Sequence, residues 1–274
     1  MPFRTVVTVV TFNNSPQQLA LYARALKIAA SEAATRCETA LLYLDNGAES
    51  GLRDQVGFAH HLPNDANVGY GPALAKLLEH AFGPLQADLV VTSNPDGAFH
   101  HACIATLAAR AAAAPGQLLE ARQFPDEHPK GYDPQSGDTP WASGCCVAIS
   151  RTVFTSVGNV DPLFWLYLED VDYAWRARAR GIPVRTVHDA LYAHDVAERP
   201  SSEVARRQML LSGRRLGIKW RNARFTRECE RLLRAEFPTE LSGMEAVETI
   251  EPIPAAWTRV ADFRHYFSFA RTRW

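Results

Sequence analysis

The sequence predicts an α/β protein built on a doubly wound, largely parallel sheet. Up to Pro115, short runs of β-branched and apolar residues alternate with amphipathic helical stretches, the pattern of strand–helix–strand units. Each run ends on turn residues, at Asn13, at Asp45-Asn46-Gly47 and at Asn94-Pro95-Asp96. With 274 residues and 47% hydrophobic content, the chain is long enough to bury a sizeable core.

Thr5–Phe12 (TVVTVVTF) is apolar throughout, as a strand covered on both faces must be. Asn13, Asn14, Ser15 and Pro16 break it and cap a helix expected from Gln17 to Ala34. ETALLYLDNG is a second strand. NVGYGPALAKLLEHAF is a glycine-rich entry into an amphipathic helix, and ADLVVTSNPDG is a third buried strand. An alanine-rich helix from His101 to Ala114 stops at Pro115-Gly116, and Leu118 to Pro140 reads as loop. WASGCCVAISRTVF returns to a strand and turns into a helix. NVDPLFWLYLEDVDYAWRARARG is a loop and then a helix ended by Gly181. IPVRTV and the stretch from Ala190 to Ala193 read as two short strands, and Ser201 or Ser202 opens a long basic helical stretch. Ligands of such sheets sit beyond the carboxyl ends of the strands, which here carry Asn13, Asp45 and Asp96.

Composition excludes several classes. Lys plus Arg total 29 against 30 Asp plus Glu, so no overall charge favours nucleic acid. From Arg206 to Arg234, however, ten basic residues face two glutamates. Five cysteines without CxxC spacing point to a reducing cytoplasm rather than disulfides or a zinc knuckle. The N-terminal apolar run is too short for a secretion signal, and no stretch is long enough to span a bilayer.

The ordered motifs TFNN, LDNG, NVGYGPALA, NPD, WASGCCVAISR, NVDPLFWLYLEDVDYAWRARARG and LYAHD resemble the inverting family 2 glycosyltransferases of the GT-A fold. They are most similar to the bacterial rhamnosyltransferase-type members. The resemblance covers about residues 4 to 195. Two motifs depart from the family's commonest pattern: Asn94-Pro95-Asp96 replaces Asp-x-Asp, and Gly158-Asn159-Val160-Asp161 replaces Gly-Gly-Phe-Asp.

The resemblance implies a nucleotide-sugar half, an acceptor half and a role for each motif. Asp96 becomes a ligand of Mg2+ or Mn2+ where the local sequence alone reads as a turn; Asn94 holds that turn or reaches ribose or a metal-bound water. Asp170 becomes the general base, although EDVD also suits the first turn of any helix. Glu169 would meet acceptor hydroxyls, while Asp172 and Arg176, four apart, read as an ion pair. Asp45 and Asn46 read base and ribose, or simply form a turn, with Thr11 and Asn13 bordering the pocket. Gly69 and Gly71 let backbone approach the nucleotide, or only open the helix, and Asn67 anchors their loop. His194 is the second metal ligand, with His188 its competitor. Trp141, Ser143 and Gly144 floor the acceptor or donor-sugar site, and Trp165 and Tyr167 stack on sugars or pack in the core.

The resulting expectation is a GT-A domain over residues 1–200 with a basic helical extension over 201–274. It would move a sugar, first of all rhamnose, from a dTDP- or UDP-linked donor to a bacterial surface glycan such as lipopolysaccharide or capsule. Glucosyl, galactosyl or N-acetylhexosaminyl transfer is the alternative, ahead of a non-catalytic glycan-binding relative or a sugar-phosphate nucleotidyltransferase. The basic stretch reads as a solvated face, as a peripheral hold on the inner face of the membrane for a lipid-linked acceptor, with Trp220, Phe225 and the terminal FRHYFSFARTRW adding shallow insertion, or, behind both, as a nucleic-acid surface.

Overall fold

The computed structural model describes residues 3–194, 202–241, 250–251, 253–264 and 271–272. The first half of the chain begins with β1 (Phe3–Thr11), α1 (Pro16–Ala33), β2 (Cys37–Asp45), the short α2 (Leu52–Gln55) and β3 (Ala59–His61). It continues through α3 (Tyr70–Phe82), β4 (Leu89–Ser93), β5 (Gly97–Phe99) and α4 (Cys103–Ala113). The second half contains β6 (Leu118–Glu127), β7 (Cys146–Ser150), α5 (Arg151–Val157), α6 (Glu169–Ala179) and β8 (Val184–His194). Helices α7 (Glu203–Lys219) and α8 (Ala223–Glu236) follow.

One sheet runs β3-β2-β1-β4-β7-β6-β8-β5. The pairs β3-β2, β2-β1, β1-β4 and β6-β8 are parallel; β7 enters antiparallel between β4 and β6. Strand alternation divides the core in two. Val6 and Val10 of β1 face α3 and α6, while Val7 and Val9 face α1 and α4. Helix α1 starts at a capping box, with Ser15 Oγ accepting from Gln18 N and Gln18 Oε1 accepting from Ser15 N. All five cysteines are free and buried.

Two sequence expectations fail here. Leu118–Glu127 is a ten-residue strand, not loop. Its polar residues Glu120, Gln123, Asp126 and Glu127 are buried with partners that sequence does not show, so no apolar alternation marks it. The two short strands expected after α6 are one, β8, joined through a register shift opposite Ala121/Arg122.

The helices after β8 pack on α6. Asp172 is fully buried; its Oδ2 accepts from Arg176 Nε at 2.8 Å and Lys219 Nζ at 2.9 Å, and its Oδ1 from Trp220 Nε1 at 2.9 Å. The expected Asp172–Arg176 pair is therefore present, but inside a larger hub. Trp220 and Phe225 are buried, Trp220 edge-on to Trp175, so neither is available for membrane insertion as the sequence reading supposed. Much of the basic stretch is also neutralised: Arg206 pairs with Glu236, Arg207 with Glu240, Arg214 with Glu230 and Arg231 with Glu228. Among the described residues no helix is long and apolar enough to cross a membrane. Of the terminal FRHYFSFARTRW, residues 265–270 and 273–274 lie outside the described residues.

Burial opposes ionisation of Asp172, but Arg176 and Lys219 outweigh it and hold its carboxyl below the usual range. Its stabilisation is therefore complete above the ordinary carboxylate pKa and is lost as pH falls through the lower folded value. Asp172→Ala, which removes the buried carboxylate shared by Arg176, Lys219 and the Trp220 indole N–H, should cost about 3–5 kcal/mol in urea unfolding at neutral pH. The gap between parent and variant should shrink in acid.

Candidate active site

The parallel strands β1, β2 and β4 end on one edge, and the turns beyond them form the first wall of a cleft. Thr11 and Asp45 are register partners at the ends of β1 and β2, and Thr11 Oγ1 donates to Asp45 Oδ1. Asp45 Oδ2 is buried and lies 3.4 Å from His61 Nε2, whose ring stacks on Tyr43. Asn13 sits in the left-handed region at φ 51°, and its Oδ1 accepts from Ala48 N at 3.3 Å. Asn46 has both ends of its amide engaged by the next loop. Its Nδ2 donates to Gly69 O at 2.9 Å, and its Oδ1 accepts from Val68 N and Asn64 Nδ2, each at 3.1 Å. Asn67 Oδ1 accepts from Gly69 N at 2.9 Å, the anchoring role expected of it.

The glycines of NVGYG are needed for a close protein neighbour. A Cβ on Gly69, at φ +88°, would stand 2.5 Å from the Trp165 ring and carbonyl. One on Gly71 would come well under 3.0 Å from the Phe164 carbonyl oxygen. The 164–165 backbone fills this approach, and Gly71 N donates to Trp165 O at 3.3 Å. The glycine loop and the loop that leads into α6 are thereby locked together.

Beyond β4, Asn94 N donates to Cys145 O at 3.0 Å and its carbonyl accepts from Tyr192 Oη at 2.5 Å. Pairing of Gly97 with His194 brings the ends of NPD and LYAH side by side. His194 Nε2 is 3.3 Å from Asp96 Oδ1; His194 is buried, and the Asp96 side chain is 17% exposed. His188 instead packs its ring against Tyr132, 5.1 Å between centroids. A carboxylate oxygen and an imidazole nitrogen on one sheet edge are a donor set that a borderline divalent cation accepts. Among the described residues no third Asp, Glu, His or Cys joins them.

The other wall begins with strained backbone. Tyr167 and Leu168 take φ +68° and +67°, each costing of order 1–3 kcal/mol, and they turn the chain sharply into α6. Contacts around them enforce it: Leu168 is buried, and Ser212 Oγ of α7 donates to Leu166 O at 2.7 Å. The turn delivers Glu169 and Asp170 at the first turn of α6. Asp170 is half-buried; its Oδ2 accepts from Gly144 N and its Oδ1 from Val171 N, both at 2.7 Å. Desolvation raises its pKa, while those two N–H bonds and the Lys130 charge oppose the rise. Glu169 is more deeply buried, with an Oε2 that accepts no hydrogen bond, and burial followed by the Asp170 charge pushes its carboxyl well above the usual range. Asp170 is thus the more readily ionised of two adjacent carboxyls. Trp141 and Ser143 are buried, and Gly144 lies against Asp170.

Sequence reasoning missed Glu120 and Lys130, which bond Ser143 N and Trp141 O from below, because both lie in the stretch read as loop. It also missed His61. A lone histidine in a polar stretch gives no signal until the β2–β3 pairing sets it by Asp45.

No protein-family profile matches the chain. It is similar to the N-acetylglucosaminyl-diphospho-decaprenol L-rhamnosyltransferase of Mycobacterium tuberculosis, with 26% identity over 232 aligned positions, covering 65% of this chain and 75% of that protein. Among solved structures it resembles the mannosyltransferase PcManGT from Pyrobaculum calidifontis in complex with GDP-Man and Mn2+, with TM-score 0.60, 15% identity and coverage of 93% of this chain and 78% of that one. It also resembles GalNAc-T7 with UDP, GalNAc and Mn2+, at TM-score 0.56, 12% identity, 89% of this chain and 57% of that one.

Gly71→Ala should push the 164–165 backbone off α3 and loosen both walls. We expect a drop in melting temperature, together with faster amide exchange over 164–170. Parent-like exchange there in the Gly71→Ala variant would contradict this coupling.

Proposed function

We propose that this chain, which has the GT-A fold and resembles a rhamnosyltransferase in sequence, carries out an inverting, metal-assisted sugar transfer with Asp170 as base. The observation that carries the reading is the Asp170 carboxylate, half-buried and held by the Gly144 and Val171 N–H groups at the mouth of the cleft. Held in this way, the carboxylate accepts the proton of an acceptor hydroxyl as that oxygen attacks the anomeric carbon. The new C–O bond forms as the bond from the anomeric carbon to the diphosphate oxygen breaks. The nucleoside diphosphate keeps the electron pair, and attack from the opposite face inverts the configuration.

Asp96 and His194 would hold Mg2+ or Mn2+, and their mixed oxygen and nitrogen set fits Mn2+ well. When bound, the ion supplies charge neutralisation for the departing diphosphate. The solved relatives bound to Mn2+ with GDP-Man or UDP support a donor of the nucleotide-diphosphate-sugar class. We assign a dTDP- or UDP-linked sugar, rhamnose first. Asp45 offers a buried acceptor to a pyrimidine imide N–H at the end of β2, and Thr11 and Asn13 border it. For the acceptor we favour a lipid-linked bacterial surface glycan over Trp141, Ser143, Gly144, Trp165 and Glu169. The mycobacterial rhamnosyltransferase, named for a diphospho-decaprenol acceptor, supports this choice. Exposed Arg224 and Arg227 on α8 would give a weak peripheral contact with anionic lipid.

The test is transfer by Asp170→Asn. It should bind TDP like the parent yet turn over about a hundredfold or more slowly, the range of a lost general base. Parent-like turnover would end the assignment. Because desolvation raises the Asp170 carboxyl, the acidic limb of the kcat–pH profile should lie above the ordinary carboxylate range, activity falling as protonation removes the base. Excess chelator should abolish transfer, and Asp96→Ala or His194→Ala should weaken the Mn2+-dependent part of TDP binding. Full activity in chelator would exclude the metal.

A further inference from the structure

Two buried charges stand behind Asp170 without bonding it: Glu120 on β6 and Lys130 in the segment that follows. Each is fully bonded. Lys130 Nζ donates to Glu120 Oε1 at 2.8 Å and Oε2 at 2.7 Å, and also to the Trp141 carbonyl, which uses the three donors of an ammonium. Glu120 Oε1 accepts in addition from Thr186 Oγ1 of β8 at 2.5 Å, and Oε2 from Ser143 N at 2.6 Å. The next amide along the chain, Gly144 N, donates to Asp170 Oδ2. Two consecutive backbone N–H groups are thus shared between two carboxylates, one behind the segment and one at the cleft. The Lys130 ammonium also lies 4.3 Å from the centroid of the Trp141 ring.

We propose that Glu120 and Lys130 are positioning residues for the transfer step, clamping Trp141–Gly144 from behind so that the Gly144 N–H holds Asp170 toward the acceptor. The inference rests on Asp170 being the base. An apolar filler could occupy the same volume, but it would leave the buried Ser143 N–H and Thr186 hydroxyl without acceptors and the segment free to shift. Buried ion pairs add little net stability over well-packed apolar residues, so the effect of this one falls on geometry. The Lys130 charge also counteracts the burial of the Asp170 carboxyl.

The test is the nearly isosteric double substitution Glu120→Gln/Lys130→Met in the full chain, with Glu120→Gln alone as the variant if the double one does not fold. Hydrogen exchange over 141–146 comes first, because it needs no substrate. The Ser143 and Gly144 amides should exchange roughly tenfold or more faster than in the parent, with protection of β1 and β4 unchanged. Parent-like protection at 143–144 overturns the clamp. Release of TDP from dTDP-rhamnose, with water as acceptor, is then followed in a double-mutant cycle with Asp170→Asn. TDP binding should stay within about twofold of the parent, while turnover falls about thirtyfold. Adding Asp170→Asn should then cost only a few-fold, against about a hundredfold in the parent background, because the groups act as one unit. Fully additive losses would reduce the pair to a structural one and sink the inference. If Asp170→Asn leaves the parent's turnover intact, the base assignment is what fails, while the exchange data still judge the clamp.

Discussion

A carboxylate without solvent is costly unless several donors surround it, and Asp172 has three from three residues. Arg176 comes from its own helix, while Lys219 and Trp220 come from the end of α7. The arrangement fixes how α6 lies on the sheet and where its first turn points. Glu169 and Asp170 are three and two residues upstream, so the position of those two carboxyls depends on a charge buried farther along the same helix. Arg176 extends the hold by donating to the Val157 and Asn159 carbonyls at 3.0 and 2.8 Å. Lys219 extends it to Asp161 at 2.6 Å.

With α6 held, the strain just before it becomes tolerable. Neither Tyr167 nor Leu168 would take a left-handed conformation alone. The turn persists because Leu168 is buried, Ser212 holds Leu166, and the preceding 164–165 backbone rests on Gly69 and Gly71. Those two glycines also belong to the loop that Asn46 tethers. A continuous set of contacts therefore runs from the end of β2, through the glycine loop, to Asp170.

The two walls of the cleft differ in electrostatic character. On the strand-end wall, Asp96 and His194 set a carboxylate oxygen 3.3 Å from an imidazole nitrogen, a donor set that a divalent cation accepts. On the α6 wall, two adjacent carboxyls crowd a desolvated site, and their environments separate them. Glu169 has little to stabilise its charge, whereas Asp170 has two backbone N–H donors. Such separation of neighbouring acids lets one stay protonated while the other accepts a proton. Away from the cleft, the ion pairs on α7 and α8 show that a basic run in sequence need not be a basic surface.

The order of β1, α1, β2, α3, β4 and α4 was legible in the sequence, because buried parallel strands are apolar runs and their ends are marked by Asn, Asp and Gly; the short α2, β3 and β5 were not. The turn at NPD, the acidic start of α6 and the Asp172–Arg176 spacing were equally local, and so could be read. What stayed hidden was every feature whose partner lies far along the chain. Strand β6 looks like loop because its buried polar residues are satisfied by Lys130, Ser143 and Thr186, and only folding brings these together. Trp220 and Phe225 look like membrane anchors until they are seen packed among Trp175 and Phe263. Gly69 and Gly71 announce a close approach, but their sequence cannot say that the neighbour is Phe164–Trp165. Local propensity and hydrophobic period determine which elements form. Which buried polar groups find partners is decided only when the chain closes on itself, since each bond needs both ends in place.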